Sequence, residues 1–222
     1  LPTPAVLNEQ GYRPLVVLGA TSAFFLERLA QEMEVCKLSP SQVIIHPRAG
    51  IVTLEHAERE RGTLDGPKSI ASTMQGCGTF LSDKILRRPG LKLAKDYPEL
   101  QEMVANAGEF LPALLRELMR VQGKMLFGEV SQGIGLDINH GSHYPNCTSR
   151  QCTPMQFIAD LGLTHRDVGD VYLNLRTFPI RVGNIIEDGK TIGYSGDFYA
   201  DAKETTWQDV GRAAGMPEEE TA

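Results

Sequence analysis

The feature that most constrains the fold is a strand–helix–strand pattern near the start of the chain. An apolar run, Pro14–Gly19, is followed by a segment, Ala23–Cys36, whose apolar residues recur at helical spacing behind Ser22 as a cap. A second apolar run, Gln42–His46, completes the pattern within about 33 residues, the length of one βαβ unit. We therefore predict an α/β fold with a mostly parallel central sheet and flanking helices.

Composition excludes several classes of function. Of the 222 residues, 41% are hydrophobic and 23% are charged, as in an ordinary globular protein. The net charge of −6 gives no basic footprint for nucleic acid, and no apolar run reaches the ~18 residues of a membrane span. Neither nucleic acid nor membrane is expected as a partner. The scattered cysteines favour a reducing, cytoplasmic compartment over a disulfide framework.

A polar stretch, Lys124–Thr153, is the first candidate for a ligand site. We predict a short strand, Lys124–Phe127, that runs into a loop rich in glycine and in reactive side chains. The reactive side chains are those of Glu129, Ser131, Gln132, Asp137, Asn139, His140, His143, Thr148, Ser149 and Arg150. The pattern is typical of the end of a strand in an α/β protein, although a polar surface loop has the same composition.

A second loop, Gly66–Gly78, is rich in glycine and hydroxyl groups and opens into a predicted helix, Thr79–Arg88. Backbone N–H groups and hydroxyls at the start of a helix suit a phosphate, although the loop lacks the Gly-Lys-Ser/Thr ending of a Walker motif. Arg87 and Arg88 end this helix. They could clamp a phosphate or simply compensate the helix dipole.

One group of residues has the side chains of a zinc site. His140, His143, Cys147 and Cys152 follow the spacing H-x2-H-x3-C-x4-C, and zinc favours these ligand types in tetrahedral sites. The spacing is not that of a common zinc finger. The alternative interpretation is that the four residues support the loop.

Other local patterns complete the organisation of the chain. We predict a helix Leu54–Arg61 capped by Thr53, and a helix at Pro154 with Thr153 as cap and Gln156 closing a capping box. We also predict a strand Asp170–Leu175, a hairpin turn at Asp188-Gly189, and a helix Trp207–Ala214 capped by Thr206. Residues 1–222 are treated as a single partial domain, with the hairpin and short helix of residues 184–222 at its periphery.

The two loops match, in order and spacing, two motifs of one enzyme family. Ile70–Gly78 follows the pattern I-G-T-T-G-R-G-I-G, and Asp83-Lys84 and Arg87-Arg88 stand at the expected distances after it. Glu129–Ser142 follows E-G-A-Q-G-x-x-L-D-I-D-x-G-T. Tyr144-Pro145 and Thr148-Ser149 continue that motif after an inserted His143, and Arg181-Val182-Gly183 matches a later T-R-V-G. On these residues the chain resembles the adenylosuccinate synthetase family.

Departures from the family pattern favour one branch of it. Cys147–Pro154, and Met74-Gln75 in place of Gly-Arg, are similar to the phage-type 2-aminoadenylosuccinate synthetases, which join aspartate to dGMP. The resemblance implies a purine nucleotide ligase that works through a 6-phosphoryl intermediate, with Gln132 in a catalytic role at the purine 6-oxygen. The substrate-binding residues that it implies are Ser72, Thr73, Gln75, Arg87, Gln132, Thr148, Arg181 and Val182. In the family, the residue at the position of Arg87 reaches the nucleotide of a partner subunit.

The resemblance also implies the partners of the reaction. These are a purine nucleoside monophosphate, L-aspartate, a nucleoside triphosphate (GTP or ATP), Mg²⁺ and a second subunit of a homodimer. Segments resembling the family's G-D-E-G-K-G loop, its N-A-G-H segment and its K-x-D motif do not occur in the sequence. We therefore expect a segment of a longer enzyme that is inactive alone, with the Mg²⁺ ligands largely elsewhere. The alternatives are an IMP-using synthetase and a non-catalytic nucleotide- or zinc-binding fragment.

Overall fold

The structure is a computed structural model that describes residues 2–62, 72–104, 111–142, 144–173, 185–187, 190–193, 203 and 205–217. Arg181, Val182, His143 and the Asp188-Gly189 turn lie outside the described residues, so the predictions made for them stay predictions.

The described part of the chain alternates helices with short strands. The helices are α1 (Pro2–Glu9), α2 (Leu26–Val35), α3 (Leu54–Gly62), α4 (Cys77–Ile85), α5 (Gln101–Val104), α6 (Leu111–Arg116), α7 (Pro154–Asp160) and α8 (Trp207–Ala214). The strands are β1 (Val16–Leu18), β2 (Ala23–Phe24), β3 (Val43–Ile45), β4 (Gly50–Ile51), β5 (Ile185–Glu187) and β6 (Lys190–Gly193). A π-helical segment, Glu117–Val121, extends α6. None of the described helices is long and apolar enough to cross a membrane.

The predicted βαβ unit is present. Strands β1 and β3 pair in parallel with Val16 opposite Val43, and α2 connects them. Alternate residues of the two strands face opposite sides of the sheet. Val16, Val43 and Ile45 are buried in a core that includes Leu29 and Met33 of α2. This burial explains why short apolar runs suffice to specify the strands.

The opposite face of the same strands packs against a second layer of helices. Val17 and Ile44 lie against a small cluster of buried leucines from α6 and the end of α7. These leucines are Leu111, Leu115 and Leu161. The sheet is thus covered on both faces, as predicted for an α/β fold.

The start of α2 differs from the prediction. Ser22 does not cap this helix, which begins at Leu26 behind Phe25. Instead Ala23 and Phe24 form β2, which pairs in parallel with β4. The Gly50 N–H donates to the Ser22 carbonyl at 2.7 Å. A long-range strand pairing therefore overrides the local capping signal.

Helix α4 is held close to β4 by a glycine. A Cβ atom added to Gly50 would lie 2.1 Å from Cε1 of Phe80, whose side chain is fully buried in α4. Only a residue without a side chain allows this approach. The contact places the start of α4, and the loop that leads into it, beside the sheet.

Two predicted strands are absent from the described structure. Residues 124–127 and 170–173 have no regular secondary structure. Met125 and Phe127 are 85% and 66% exposed, and no described strand lies alongside to pair with the backbone of this segment. Apolar composition alone does not make a strand without such a partner.

Several other local predictions are confirmed. Helices form at Leu54–Gly62, Cys77–Ile85 and Pro154–Asp160, β5 and β6 pair in antiparallel, and Thr206 caps α8 by accepting from the Asp209 N–H at 3.1 Å. The capping box at Gln156 was wrong. Its amide instead donates to Asp160 Oδ1 at 2.7 Å.

Candidate functional site

The described part of the first loop, residues 72–76, is held by Glu60 of α3. The Glu60 carboxylate accepts hydrogen bonds from the Ser72 hydroxyl, at 3.3 Å, and from the Gly76 N–H. Gly76 has φ +84° and lies against α3, where a Cβ would come within 2.6 Å of Ala57 N. These donors already bind one anionic group, so a phosphate at this loop would have to replace or accompany Glu60.

The backbone of this loop is strained at Met74. Its φ is +50°, in the left-handed region that disfavours side chains. The position is one where the family pattern has glycine, which gives the pattern a physical reason. The Met74 N–H donates to the Ser72 hydroxyl at 3.2 Å, and the Gln75 amide donates to the Thr73 carbonyl at 3.0 Å.

The second loop is organised around a buried carboxylate, Asp137. Its side chain is fully buried and accepts the backbone N–H groups of Cys152 at 2.5 Å, Asn139 at 2.8 Å and His140 at 3.0 Å. These bonds, with that from Cys152 first, hold the pKa of Asp137 below its usual value despite burial. Asp137 is therefore a structural centre of the loop.

Backbone pairing further fixes the part of this loop that carries Thr148. The Thr148 N–H donates to the Leu136 carbonyl at 2.8 Å, and the Ile138 N–H donates to the Arg150 carbonyl at 3.3 Å. Thr148 itself is half-buried. Its position is set before any ligand arrives.

The two predicted loops meet at Gly78 and Ser149. A Cβ built on Gly78 would lie 3.6 Å from Ser149 Cβ, 3.7 Å from its Oγ and 3.5 Å from Glu60 Oε1. The first turn of α4, the Ser72–Gly76 loop and the Thr148–Ser149 segment therefore share one small region. The Ser149 hydroxyl lies beside the first turn of α4, where the helix N–H groups suit a phosphate, and the Glu60 carboxylate lies there as well.

Asp83 in α4 ties this region to α3. Its carboxylate receives two hydrogen bonds from Arg59 and one, at 2.9 Å, from Arg88 Nε. The Arg59 hydrogen bond is the main cause that lowers the pKa of Asp83. Burial lowers the pKa of the neighbouring His56, whose ring meets Phe80 edge-on. Arg88 is thus bound to Asp83 and is not available as half of the predicted Arg87–Arg88 clamp.

Arg87 is placed differently. It is exposed, has φ +52°, and follows the end of α4. At 1.5 Å per residue, α4 carries the chain about 10 Å from Gly78 to Ile85, and Arg87 lies beyond that. Arg87 is therefore at the opposite end of α4 from the Gly78–Ser149 contact of its own chain.

Gln132, the predicted catalytic residue, is exposed and has φ +75°. Of the four described non-glycine residues with positive φ, Arg87 and Gln132 are predicted site residues, and Met74 lies in the first motif. Such strain collects at functional positions. The structure gives no contact between Gln132 and Thr148.

A large cavity in the described structure lies away from the meeting point of the loops. It measures about 770 Å³ and lies between β1 and the extended segment 124–131, with Arg150 and Gln151 at its wall. Ser131 lines it, but Ser72, Thr73 and Thr148 do not.

Sequence reasoning missed the contacts of three residues that hold the site together, Lys84, Arg150 and Asp160. Lys84 donates from Nζ to the carbonyls of Ala20 and Arg48, both at 2.6 Å, so it fastens the loops that follow β1 and β3. Arg150 pairs with Asp160 at 3.0 Å. Asp83-Lys84 stood in the family pattern, but nothing in the sequence connects Arg150 with Asp160.

The described residues do not assemble a metal site. No group of three or more of their His, Cys, Asp and Glu side chains could hold a metal ion. Asp83 and Asp137 are engaged by arginines and backbone N–H groups respectively. The zinc interpretation of His140, His143, Cys147 and Cys152 stays untested, because His143 lies outside the described residues. No described side chain is assigned to Mg²⁺.

Comparison with known proteins gives a consistent picture. No family model matches the chain. It is 35% identical over 212 residues to the N6-succino-2-amino-2'-deoxyadenylate synthase of Salmonella phage PMBT28, covering 90% of this chain and 57% of that protein. The enzyme of the same name from Acinetobacter phage SH-Ab 15497 is 32% identical, over 88% and 56%. The adenylosuccinate synthetase of Methanocaldococcus jannaschii is 32% identical, over 76% and 47%.

Solved structures agree. The succinoaminodeoxyadenylate synthetase of cyanophage S-2L, bound to dGMP and dATP, matches with a TM-score of 0.66 and 30% identity, over 88% of this chain and 54% of that one. The Plasmodium falciparum adenylosuccinate synthetase matches with a TM-score of 0.55 and 19% identity, over 69% and 45%, which is a likeness of fold.

The chain has an α/β fold similar to that of these synthetases. More particularly, the chain is related to the adenylosuccinate synthetase family and resembles its phage-type branch. It spans about half the length of the curated relatives that it matches.

Proposed function

We propose that this chain forms the nucleoside monophosphate half-site of a C–N ligase that joins L-aspartate to C6 of a 6-oxopurine nucleotide, with dGMP as the nucleotide. The observation that carries the proposal is the close approach of Gly78 and Ser149, which brings the two motif loops together. The similarity to the phage enzymes named above supports dGMP over IMP.

Hydroxyls and N–H groups of the two loops would bind the phosphate. Ser72, Thr73 and Thr148 supply hydroxyls, and the first turn of α4 supplies backbone N–H groups whose dipole favours an anion. Gln75 and, outside the described residues, Arg181 and Val182 complete the proposed substrate-binding set.

Gln132 would recognise the base. Its amide both donates and accepts, which suits the 6-oxo edge of guanine. In the proposed reaction the 6-oxygen attacks the γ-phosphorus of a nucleoside triphosphate and releases the diphosphate. The amine of aspartate then attacks C6, and inorganic phosphate leaves with the former 6-oxygen. A hydrogen bond from Gln132 to the 6-oxygen would stabilise the charge that develops there.

The remaining partners belong to the whole protein. The triphosphate, GTP or ATP, and aspartate have no assigned residues among those described. Mg²⁺ likewise has no assigned residues among those described. We also propose a single partial domain with residues 184–222 at its periphery, a cytoplasmic location and a homodimer. The position of Arg87, remote from the phosphate site of its own chain, supports the homodimer.

Calorimetry with dGMP and IMP tests the proposal. We expect the chain to bind dGMP more tightly than IMP, and Thr148→Ala to weaken dGMP binding about tenfold, the effect of one hydrogen bond to a charged group. Thr53→Ala is a matched control, because Thr53 bonds His56 and lies outside the two loops. Equal affinity for dGMP and IMP would defeat the dGMP assignment, and binding of neither would defeat the half-site.

A further inference from the structure

The segment that carries Thr148 is fastened to the body of the molecule through one carboxylate, Asp160, at the end of α7. Asp160 Oδ2 accepts from Arg150 Nη2 at 3.0 Å and from the Thr21 hydroxyl, and Oδ1 accepts from Gln156. The side chain of Asp160 is only 11% exposed. Solvent and salt therefore screen this ion pair less than a surface pair.

Arg150 also reaches the loop that follows β1. Its Nη2 lies 2.6 Å from Thr21 Oγ1, and its Nη1 lies 3.5 Å from the Thr21 carbonyl. The Ala20 N–H donates to the Asp160 carbonyl at 3.2 Å, and a Cβ on Gly19 would lie 3.3 Å from that same oxygen. Asp160 thus joins three parts of the fold: the end of β1, the end of α7 and the second loop.

The carboxylates of Asp137 and Asp160 have different structural roles. Asp137 fixes the internal shape of the second loop through backbone N–H groups. Asp160 fixes where that loop lies relative to β1, because its contact to the loop runs through the side chain of Arg150. Thr148 and Ser149 lie directly before Arg150. If the Arg150–Asp160 ion pair were broken, the loop would keep its shape but lose its fixed position opposite Gly78.

We propose that Asp160 is a positioning residue for monophosphate recognition: by holding Arg150 against Thr21, it fixes Thr148 and Ser149 opposite the first turn of α4. The proposal rests on the proposed function, since it assigns Asp160 to the phosphate part of that same site. Asp160 itself does not touch the nucleotide.

The test separates the contribution of the phosphate from that of the rest of the ligand. Calorimetry gives the affinities of the full chain for dGMP and for 2'-deoxyguanosine, which lacks the phosphate. In Asp160→Asn we expect the ratio of the two affinities to fall about tenfold, as for loss of one charge-assisted anchor, while deoxyguanosine binding stays unchanged. Thr21→Val, which keeps the volume but removes the hydroxyl, should lower the ratio by a smaller factor, and Thr21→Ser should restore it.

Asp167→Asn is the matched control. Asp167 also bonds two arginines, Arg116 and Arg120, but in a different loop. Its variant should lower the melting temperature and leave the ratio unchanged. The proposal is overturned if Asp160→Asn also leaves the affinity ratio unchanged. Should that variant not fold, an unchanged ratio in Thr21→Val overturns it. A wild-type chain that binds dGMP no tighter than deoxyguanosine would overturn the proposed phosphate site itself, which is a separate result.

Discussion

The guanidinium of Arg59 meets the carboxylate of Asp83 at two points, Nη1 to Oδ2 at 2.6 Å and Nη2 to Oδ1 at 3.1 Å. This pair joins α3, which carries Glu60, to α4, whose first turn carries Gly78. This ion pair therefore helps to position both sides of the candidate phosphate site.

The first prediction concerns Asp83→Asn. The substitution removes the carboxylate that pairs with Arg59 and Arg88. We expect the free energy of unfolding to fall by about 2 kcal/mol, which is less than the cost of breaking a fully buried pair because both arginines are partly exposed. Chemical denaturation measures this. Asp209→Asn is the control, because Asp209 and Arg212 form an exposed pair, and it should lower stability much less than Asp83→Asn.

The stability contributed by Asp83 should depend on pH. Arg59 lowers the folded-state pKa of Asp83 below its ordinary 3.8, so the stabilisation is complete above that value and is lost as pH falls through the lower, folded-state pKa. The stability difference between wild type and Asp83→Asn should therefore shrink below about pH 4. A difference that stays constant from pH 7 to well below pH 4 would show that the ion pair does not contribute.

The second prediction compares two glycines of similar φ. Gly76 has φ +84° and packs on Ala57, whereas Gly90 has φ +81° and open space around it. Gly90→Ala should cost about 1 kcal/mol, from backbone strain alone. Gly76→Ala should cost about 3 kcal/mol, since the new methyl group also collides with α3. Thermal unfolding measures the stability of both variants. Equal losses of stability in the two variants would contradict the packing of the loop on α3.

Much of the fold could be predicted because its signals are local. The βαβ unit, α3 and α8 follow from periodicity and caps within a few residues of each other. The strand predicted at 124–127 was wrong because a strand needs a partner that the local sequence does not reveal. The start of α2 was wrong because Gly50, 28 positions after Ser22, donates to its carbonyl.

In the candidate site, too, local features could be predicted and long-range contacts could not. The two loops were found from their glycines, hydroxyls and motif spacing. The contacts that hold them were not: Glu60 with Ser72 and Gly76, and Arg150 with Asp160 and Thr21. Thr21 and Asp160 are 139 positions apart, and ordinary polar residues at such separations give no pattern in a single sequence.

The third prediction concerns Arg87 and the proposed homodimer. If Arg87 completes the site of a partner subunit, then Arg87→Ala and Thr148→Ala should each weaken dGMP binding about tenfold. When the two variants are unfolded together and refolded as mixed dimers, one site in each mixed dimer carries both substitutions and the other carries neither. Calorimetry of the mixture should then show sites of wild-type affinity. Their absence would place Arg87 in the site of its own chain, whereas an Arg87→Ala variant with wild-type affinity would place it outside any site.

The most direct test of the central claim is the footprint of dGMP by hydrogen–deuterium exchange. The account predicts slower exchange in residues 72–80 and 148–152, where the two loops meet, and no change near α8. Protection confined to residues 16–19 and 124–131, around the large cavity, or no protection at saturating dGMP, would contradict it.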